Sequence, residues 1–198
     1  MSVTSDDLDH GRRHFLTLAT SLAGGVGVVA TAIPFLSSFR PSARARALGA
    51  PVEVDISKLE PGALIKVEWR GQPVYVLSRT EEALATLATL EATVRDPLSE
   101  QAQQPGYAQN QHRSMRPEIF VMIGVCTHLG CAPAFRPDVA PVDLGPDWLG
   151  GFFCPCHGSK FDLAGRVYDG MPAQLNLTVP PHRFLNESTL LIGDEGLG

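Results

Sequence analysis

The chain opens on a long apolar run and then changes character. From Phe15 to Leu36 no charged side chain appears. At about 1.5 Å per residue, a helix over that run reaches roughly 30 Å, the thickness of a bilayer core. A buried helix of a soluble protein would show a polar face over such a length. The pattern therefore predicts a transmembrane anchor at 15–36 behind a cytoplasmic N-terminus at 1–14. Residues 37–50 are small, polar and basic, with no apolar period, and read as a hinge or linker. As a flexible coil such a segment would reach about 20 Å.

Beyond residue 50 the period becomes two. Val52–Ile56 alternates, and so does Leu64–Arg70. Gly71-Gln72 is the expected two-residue turn, and Pro73–Ser78 the returning strand of a hairpin. Thr80 is placed to cap a short helix whose Leu84, Leu87 and Leu90 share one face and belong to the core. Residues 95–117 are polar and Pro-bearing and read as a long loop. Glu118–Val125 is an apolar strand running into the first cysteine. Leu175–Val179, Arg183–Leu185 and Thr189–Ile192 are expected to finish the sheet, with a turn at 186–188 joining the last two. The head, 51–198, is thus predicted to be all-β with one short helix; no internal repeat is present.

With 198 residues and 44% hydrophobic content, the chain fits one domain plus an appendage. Net charge is -5, but from Ala50 onward 11 basic face 18 acidic side chains, a net of -7. A head of that sign is a poor phosphate-backbone binder, so nucleic acid is excluded as a partner. All four cysteines lie between 126 and 156, which points to a local site rather than a stapled scaffold.

The flank before the apolar run, G-R-R-H-F-L at Gly11–Leu16, resembles the twin-arginine export motif, which carries proteins across a membrane already folded. Charge bias opposes it slightly: Arg12 and Arg13 precede the run, whereas Arg40, Arg44 and Arg46 follow it. The export motif is given precedence. It predicts a single-pass protein of a bacterial inner membrane with its head in the periplasm. An A-x-A pattern at Ala43-Arg44-Ala45 leaves cleavage open, although the run is longer than a signal-peptide core.

Two segments carry the chemistry: C-T-H-L-G-C at Cys126–Cys131 and C-P-C-H-G-S at Cys154–Ser159. Each follows an apolar strand and lies in a Gly- or Pro-containing loop, so the two could face each other around an inorganic core. Thiolate with imidazole suits zinc or an iron–sulfur centre. Four cysteines and two histidines exceed what one zinc ion takes. His10, His14, His112 and His182 have no comparable setting and read as structural or solvated.

The paired motifs resemble those of the Rieske family, and more narrowly the iron–sulfur subunit of ubiquinol–cytochrome c reductase, the cytochrome bc1 complex. The likeness extends to the anchor, the hinge, the β-rich head and Gly170-Met171-Pro172-Ala173. It implies antiparallel Rieske sheets with a cluster-binding subdomain inserted at about 119–175. It also implies one 2Fe–2S cluster per chain, with Cys126 and Cys154 on one iron and His128 and His157 on the other. Cys131 and Cys156 would form a disulfide between the loops. Replacing two thiolates by imidazoles makes such a centre easier to reduce, at about -150 to +300 mV. A ligand histidine at the surface could then take a proton while the cluster takes an electron. His157 is expected as the catalytic contact, with His128 second. The implied function is respiratory electron transport: an oxidoreductase and translocase subunit, taking an electron and proton from ubiquinol and passing the electron to a c-type cytochrome. Cytochrome b, cytochrome c1, the membrane and a dimeric complex are the implied partners.

Ser159 matches the family serine that donates to a bridging sulfide. Phe161 stands where many members have a tyrosine that donates to a ligand cysteine, so a lower midpoint potential is expected. Gln174 replaces a frequent proline, which puts loop rigidity in doubt. Leu129 and Gly130 resemble the family's apolar shield. The Pro-rich stretch 132–150 is expected as a surface excursion. Three other readings compete: the Rieske subunit of another exported oxidoreductase such as an arsenite oxidase, a soluble oxygenase ferredoxin, and a zinc-stabilised binding module.

Overall fold

A computed structural model describes residues 10–193, apart from the side chains of Arg46 and Leu48. The chain divides into two units, with the boundary between Ala47 and Leu48. In the first, helix α1 spans His10–Ser38 and exposes Phe15, Leu22, Val26, Ile33 and Leu36 all round. Its threonine hydroxyls are satisfied internally: Thr17 donates to the Arg13 carbonyl, Thr20 to Leu16 and Thr31 to Gly27. A helix that feeds its own polar groups in this way suits a lipid solvent. The expected coil at 37–50 is in part helical, because α1 continues to Ser38 and α2 occupies Ala43–Leu48. The alternating alanines and arginines there are strong helix formers, and Ser42 Oγ accepts from the Ala45 N–H.

Among its described residues, the second unit holds three antiparallel three-stranded sheets. The first orders β1 (Val52–Asp55), β9 (Thr189–Ile192) and β8 (His182–Phe184). The second orders β2 (Leu64–Trp69), β3 (Gln72–Ser78) and β4 (Ile119–Ile123). The third, small sheet orders β5 (Ala134–Arg136), β6 (Gly151–Phe153) and β7 (Lys160–Phe161).

The second sheet is the middle layer. Val74, Val76, Ile119 and Val121 face a core shared with Val54, Leu190 and Ile192. The alternate residues Tyr75, Leu77, Phe120 and Met122 face a second core with Phe152, Phe161, Cys126 and Cys154. Burial on both faces is why β3 and β4 read as continuous apolar runs.

The hairpin turn sits one residue earlier than expected. Trp69 pairs with Gln72, so Arg70-Gly71 is the turn, and both residues have positive φ (54° and 72°). That geometry matches the right-handed twist of the strands better than a turn centred on Gln72. Thr80 caps helix α3 (Glu81–Thr89) by accepting from the Ala83 N–H, and Leu87 and Leu90 are buried. Leu175–Val179 is not a strand. Its amides reach three separate partners instead: Leu177 N–H donates to Gly165, Val179 N–H to Gln103, and the Thr178 carbonyl accepts from Ile123.

The 95–117 loop is held by buried arginines rather than by a sheet. Arg79 donates to the carbonyls of Pro117 and His112 and to Ser114 Oγ. Arg113 donates to Ala164 and Gly165, and Arg166 to Leu87 and Pro97 while paired with Asp162 at 2.6 Å. These guanidiniums satisfy carbonyls that no strand reaches. Burial lowers Arg79 to about 9 and Arg113 to about 10, so both remain charged at neutral pH.

Residues 132–150 are less of an excursion than expected. They contain β5 and bury Leu144 and Trp148, whose indole N–H donates to the Arg136 carbonyl. Arg136 also bridges Asp138 and Asp143. Val139 and Val142 stay exposed.

Candidate metal centre

The two motif loops share one backbone frame. In the first, Cys126 N–H donates to the Cys131 carbonyl (2.7 Å) and Gly130 N–H to the Cys126 carbonyl (3.0 Å). In the second, Cys154 N–H donates to Ser159 (2.8 Å) and Gly158 N–H to Cys154 (2.9 Å). The fifth residue of each is a glycine at positive φ, 82° at Gly130 and 77° at Gly158. The left-handed turn there is open to glycine at little cost. β4, from the middle sheet, delivers the first loop, and β6, from the small sheet, delivers the second.

On these frames the six expected side chains converge. Cys131 and Cys156 are joined in a disulfide. Cys126 and Cys154 are free and buried in the second core. The Cys154 sulfur lies within 4.8 Å of both disulfide sulfurs, but those two are already spent on each other, so the three are not a ligand trio. The His128 and His157 rings meet edge to face with centroids 4.7 Å apart. His128 is half-buried and His157 exposed.

Burial pushes the Cys126 thiol upward, and the adjoining Cys154 adds to this; the His128 backbone and the Ser159 hydroxyl pull it down. Without a cation such a thiol resists ionising, whereas metal binding deprotonates it outright. His128 Nδ1 is buried and has no hydrogen-bond partner among the described residues. A buried, partnerless ring nitrogen beside two buried thiols is a set of donors lacking its acceptor. The residues therefore fit a group that takes both sulfur and nitrogen ligands.

Ser159 is fully buried, and its Oγ accepts from the Ala173 N–H at 3.1 Å. That bond does not use the hydroxyl's own hydrogen, and the Ser159 hydroxyl pulls the Cys126 thiol downward. Met171 packs on the core, and Ala173 is buried. Gln174 is exposed but tied: it accepts from Arg95 and donates to the carbonyls of Met171 (3.3 Å) and Pro172 (3.4 Å). Leu129 is 70% exposed beside the histidines. Thr127 Oγ1 donates to the Leu175 carbonyl, tying the first loop to the same segment.

Among the other histidines, none joins this centre. His182 is buried, and its Nδ1 lies 2.9 Å from the Pro180 carbonyl; burial lowers its pKa. His112 is likewise lowered, by burial and by Arg79 and Arg166. His10 and His14 lie on α1. Sequence reasoning singled out the 170–173 stretch but missed Arg95, which belongs to no motif and matters only through contacts made across the fold.

Comparison with known proteins places the chain in a family. A family model described as Rieske [2Fe-2S] domain matches residues 101–181, and one described as Ubiquitinol-cytochrome C reductase Fe-S subunit TAT signal matches 3–42. The ubiquinol-cytochrome c reductase iron-sulfur subunit of Allochromatium vinosum is 56% identical over 93% of this chain and 89% of its own length. The chain belongs to the family of ubiquinol–cytochrome c reductase iron–sulfur subunits. The subunit of that name from Bradyrhizobium diazoefficiens is 40% identical over 96% of this chain and 99% of its own length. For Rhodospirillum rubrum the identity is also 40%, over 93% of each chain.

As a member of this family the protein carries a Rieske [2Fe–2S] domain and is a membrane-anchored subunit of the cytochrome bc1 complex, a quinol–cytochrome c reductase. The fold is the mostly-β Rieske fold with one N-terminal apolar helix, as expected. The zinc-module, oxygenase-ferredoxin and arsenite-oxidase readings lose their support to these matches.

Proposed function

We propose that Cys126 and Cys154 bind one iron of the cluster and His128 and His157 the other, and that His157 is the quinol contact. The observation that carries this is the buried, partnerless Nδ1 of His128 beside two buried thiols, with His157 exposed at the tip. Bound there, the cluster supplies one-electron acceptance at a potential raised by its imidazole ligands. The protein supplies the rest. Turning His128 Nδ1 inward leaves its Nε2 as the outward nitrogen, and His157 stands further out, where a ring nitrogen can take a proton from ubiquinol. Exposed Leu129 beside them suits an apolar quinol pocket in cytochrome b. Ser159 donates toward the cluster sulfurs, and the disulfide clamps one loop to the other.

The α1 helix anchors the head at the bacterial inner membrane with the head in the periplasm, where a disulfide persists. Residues 37–50 act as the hinge that lets the head, 51–198, pass its electron to cytochrome c1 within a dimeric complex. Mild detergent extraction of native membranes tests the assignment. The reduced-state paramagnetic resonance signal is expected to co-purify with cytochromes b and c. Recovery of that signal with a molybdenum protein instead would overturn it, as would an unchanged reduced-state signal in His157→Ala.

A further inference from the structure

We propose that Arg95, remote in sequence from both motifs, is a positioning residue for the cluster and acts through Gln174 to hold the 170–174 loop. The proposal rests on the cluster reading above. Arg95 is itself well placed. Its N–H donates to the Val167 carbonyl, and the Asp169 N–H donates to Thr93, so residues 93–95 run antiparallel to 167–169. From this ladder the Arg95 guanidinium donates to Gln174 Oε1 and lies 3.8 Å from Asp169. The Gln174 amide then donates back to Met171 and Pro172.

Between those anchors lies Ala173, whose N–H donates to Ser159 Oγ. That bond occupies one oxygen lone pair and leaves the hydroxyl hydrogen for the cluster sulfurs, the donor role proposed for Ser159 above. A charged group at the surface thus sets the position of a donor in the core by three contacts, Arg95 to Gln174, Gln174 to the loop carbonyls, and Ala173 to Ser159, with the Ser159 donation to sulfur as the last step. Hydrogen bonds to cluster sulfurs raise the potential. Gln174 does by side-chain bonding what a ring would do by covalent restraint.

The test uses the full-length protein in its complex. Arg95→Leu is expected to lower the midpoint potential and to speed hydrogen exchange at the Ala173 amide by several-fold. In a Ser159→Ala background the same substitution should leave the potential where Ser159→Ala alone puts it. Gln174→Glu keeps a partner for Arg95 but loses the donors to Met171 and Pro172, and should reproduce the Arg95→Leu exchange rate. Faster exchange with an unmoved potential would reduce Arg95 to a structural role and overturn the assignment. So would an additive effect with Ser159→Ala. Absence of any reduced-state signal in the unsubstituted protein would sink the cluster reading instead, a separate result.

Discussion

The two motif loops carry the same backbone and do different work with it. Both close with the same pair of hydrogen bonds and the same left-handed glycine. Yet the first sets its histidine third and its bridging cysteine sixth, whereas the second sets its histidine fourth and its bridging cysteine third. The consequence is unequal exposure, with His128 half-buried and His157 at the surface. The loops are also fastened differently. Thr127 ties the first to Leu175 from the outside, and Ser159 ties the second to Ala173 from within. A repeated frame gives two matched places for buried cysteines. The shift of one residue along it separates a histidine that is held from one that is presented.

The largest effect should come from the feature the loops share. Cys126→Ser and Cys154→Ser should each abolish the reduced-state resonance signal, beyond the about 10- to 100-fold losses that outer-shell changes cause. Retention of the signal in only one of them would break the equivalence of the two thiols.

Next is the link between the loops. Cys131→Ala, Cys156→Ala and the double substitution all remove one bond closing a sequence separation of 25 residues. Each should cost about 3 kcal/mol in chemical unfolding, with no further loss in the double variant. Additive losses would mean the two cysteines stabilise their loops separately.

The glycines sharpen the comparison. Neither Gly130 nor Gly158 has an atom within 4 Å of an added Cβ, so only backbone strain opposes alanine. Gly130→Ala and Gly158→Ala should therefore each cost about 1–2 kcal/mol, read as matched drops in the unfolding midpoint. A large difference would show that the frames are not equivalent.

The smallest effect concerns the second loop alone. Phe161 is fully buried in the core that holds Cys126 and Cys154. Phe161→Tyr adds one donor there, worth about 1 kcal/mol. With a tenfold change equal to about 59 mV for one electron, that is roughly +40 mV in midpoint potential by redox titration. An unchanged or lowered potential with the cluster intact would remove Phe161 from the account.

Not all of this was equally legible. The alternation at Val52–Asp55, the β2–β3 hairpin and the Thr80 cap were readable because each is set by neighbours within a few residues. The small sheet was not, since strands of two or three residues are too short to show a period. Leu175–Val179 looks like a strand by composition, but its amides go to three partners distant from one another. Trp148 looked like part of a loop and lies in the interior. Gln174 looked like a loosening of its loop, and its bonds to Arg95, Met171 and Pro172 act the other way.

By itself the sequence determined the anchor, the β-rich head and the donor set, because hydropathy and ligand chemistry are properties of residue type and local spacing. Tertiary structure alone decided which histidine is exposed, which amide the Ser159 hydroxyl accepts from, and how three buried arginines replace strands around the 95–117 loop. Those outcomes depend on contacts between segments up to 84 residues apart, as between Arg79 and Leu163. No local pattern encodes such contacts, because their energy appears only when the chain has brought both partners out of water.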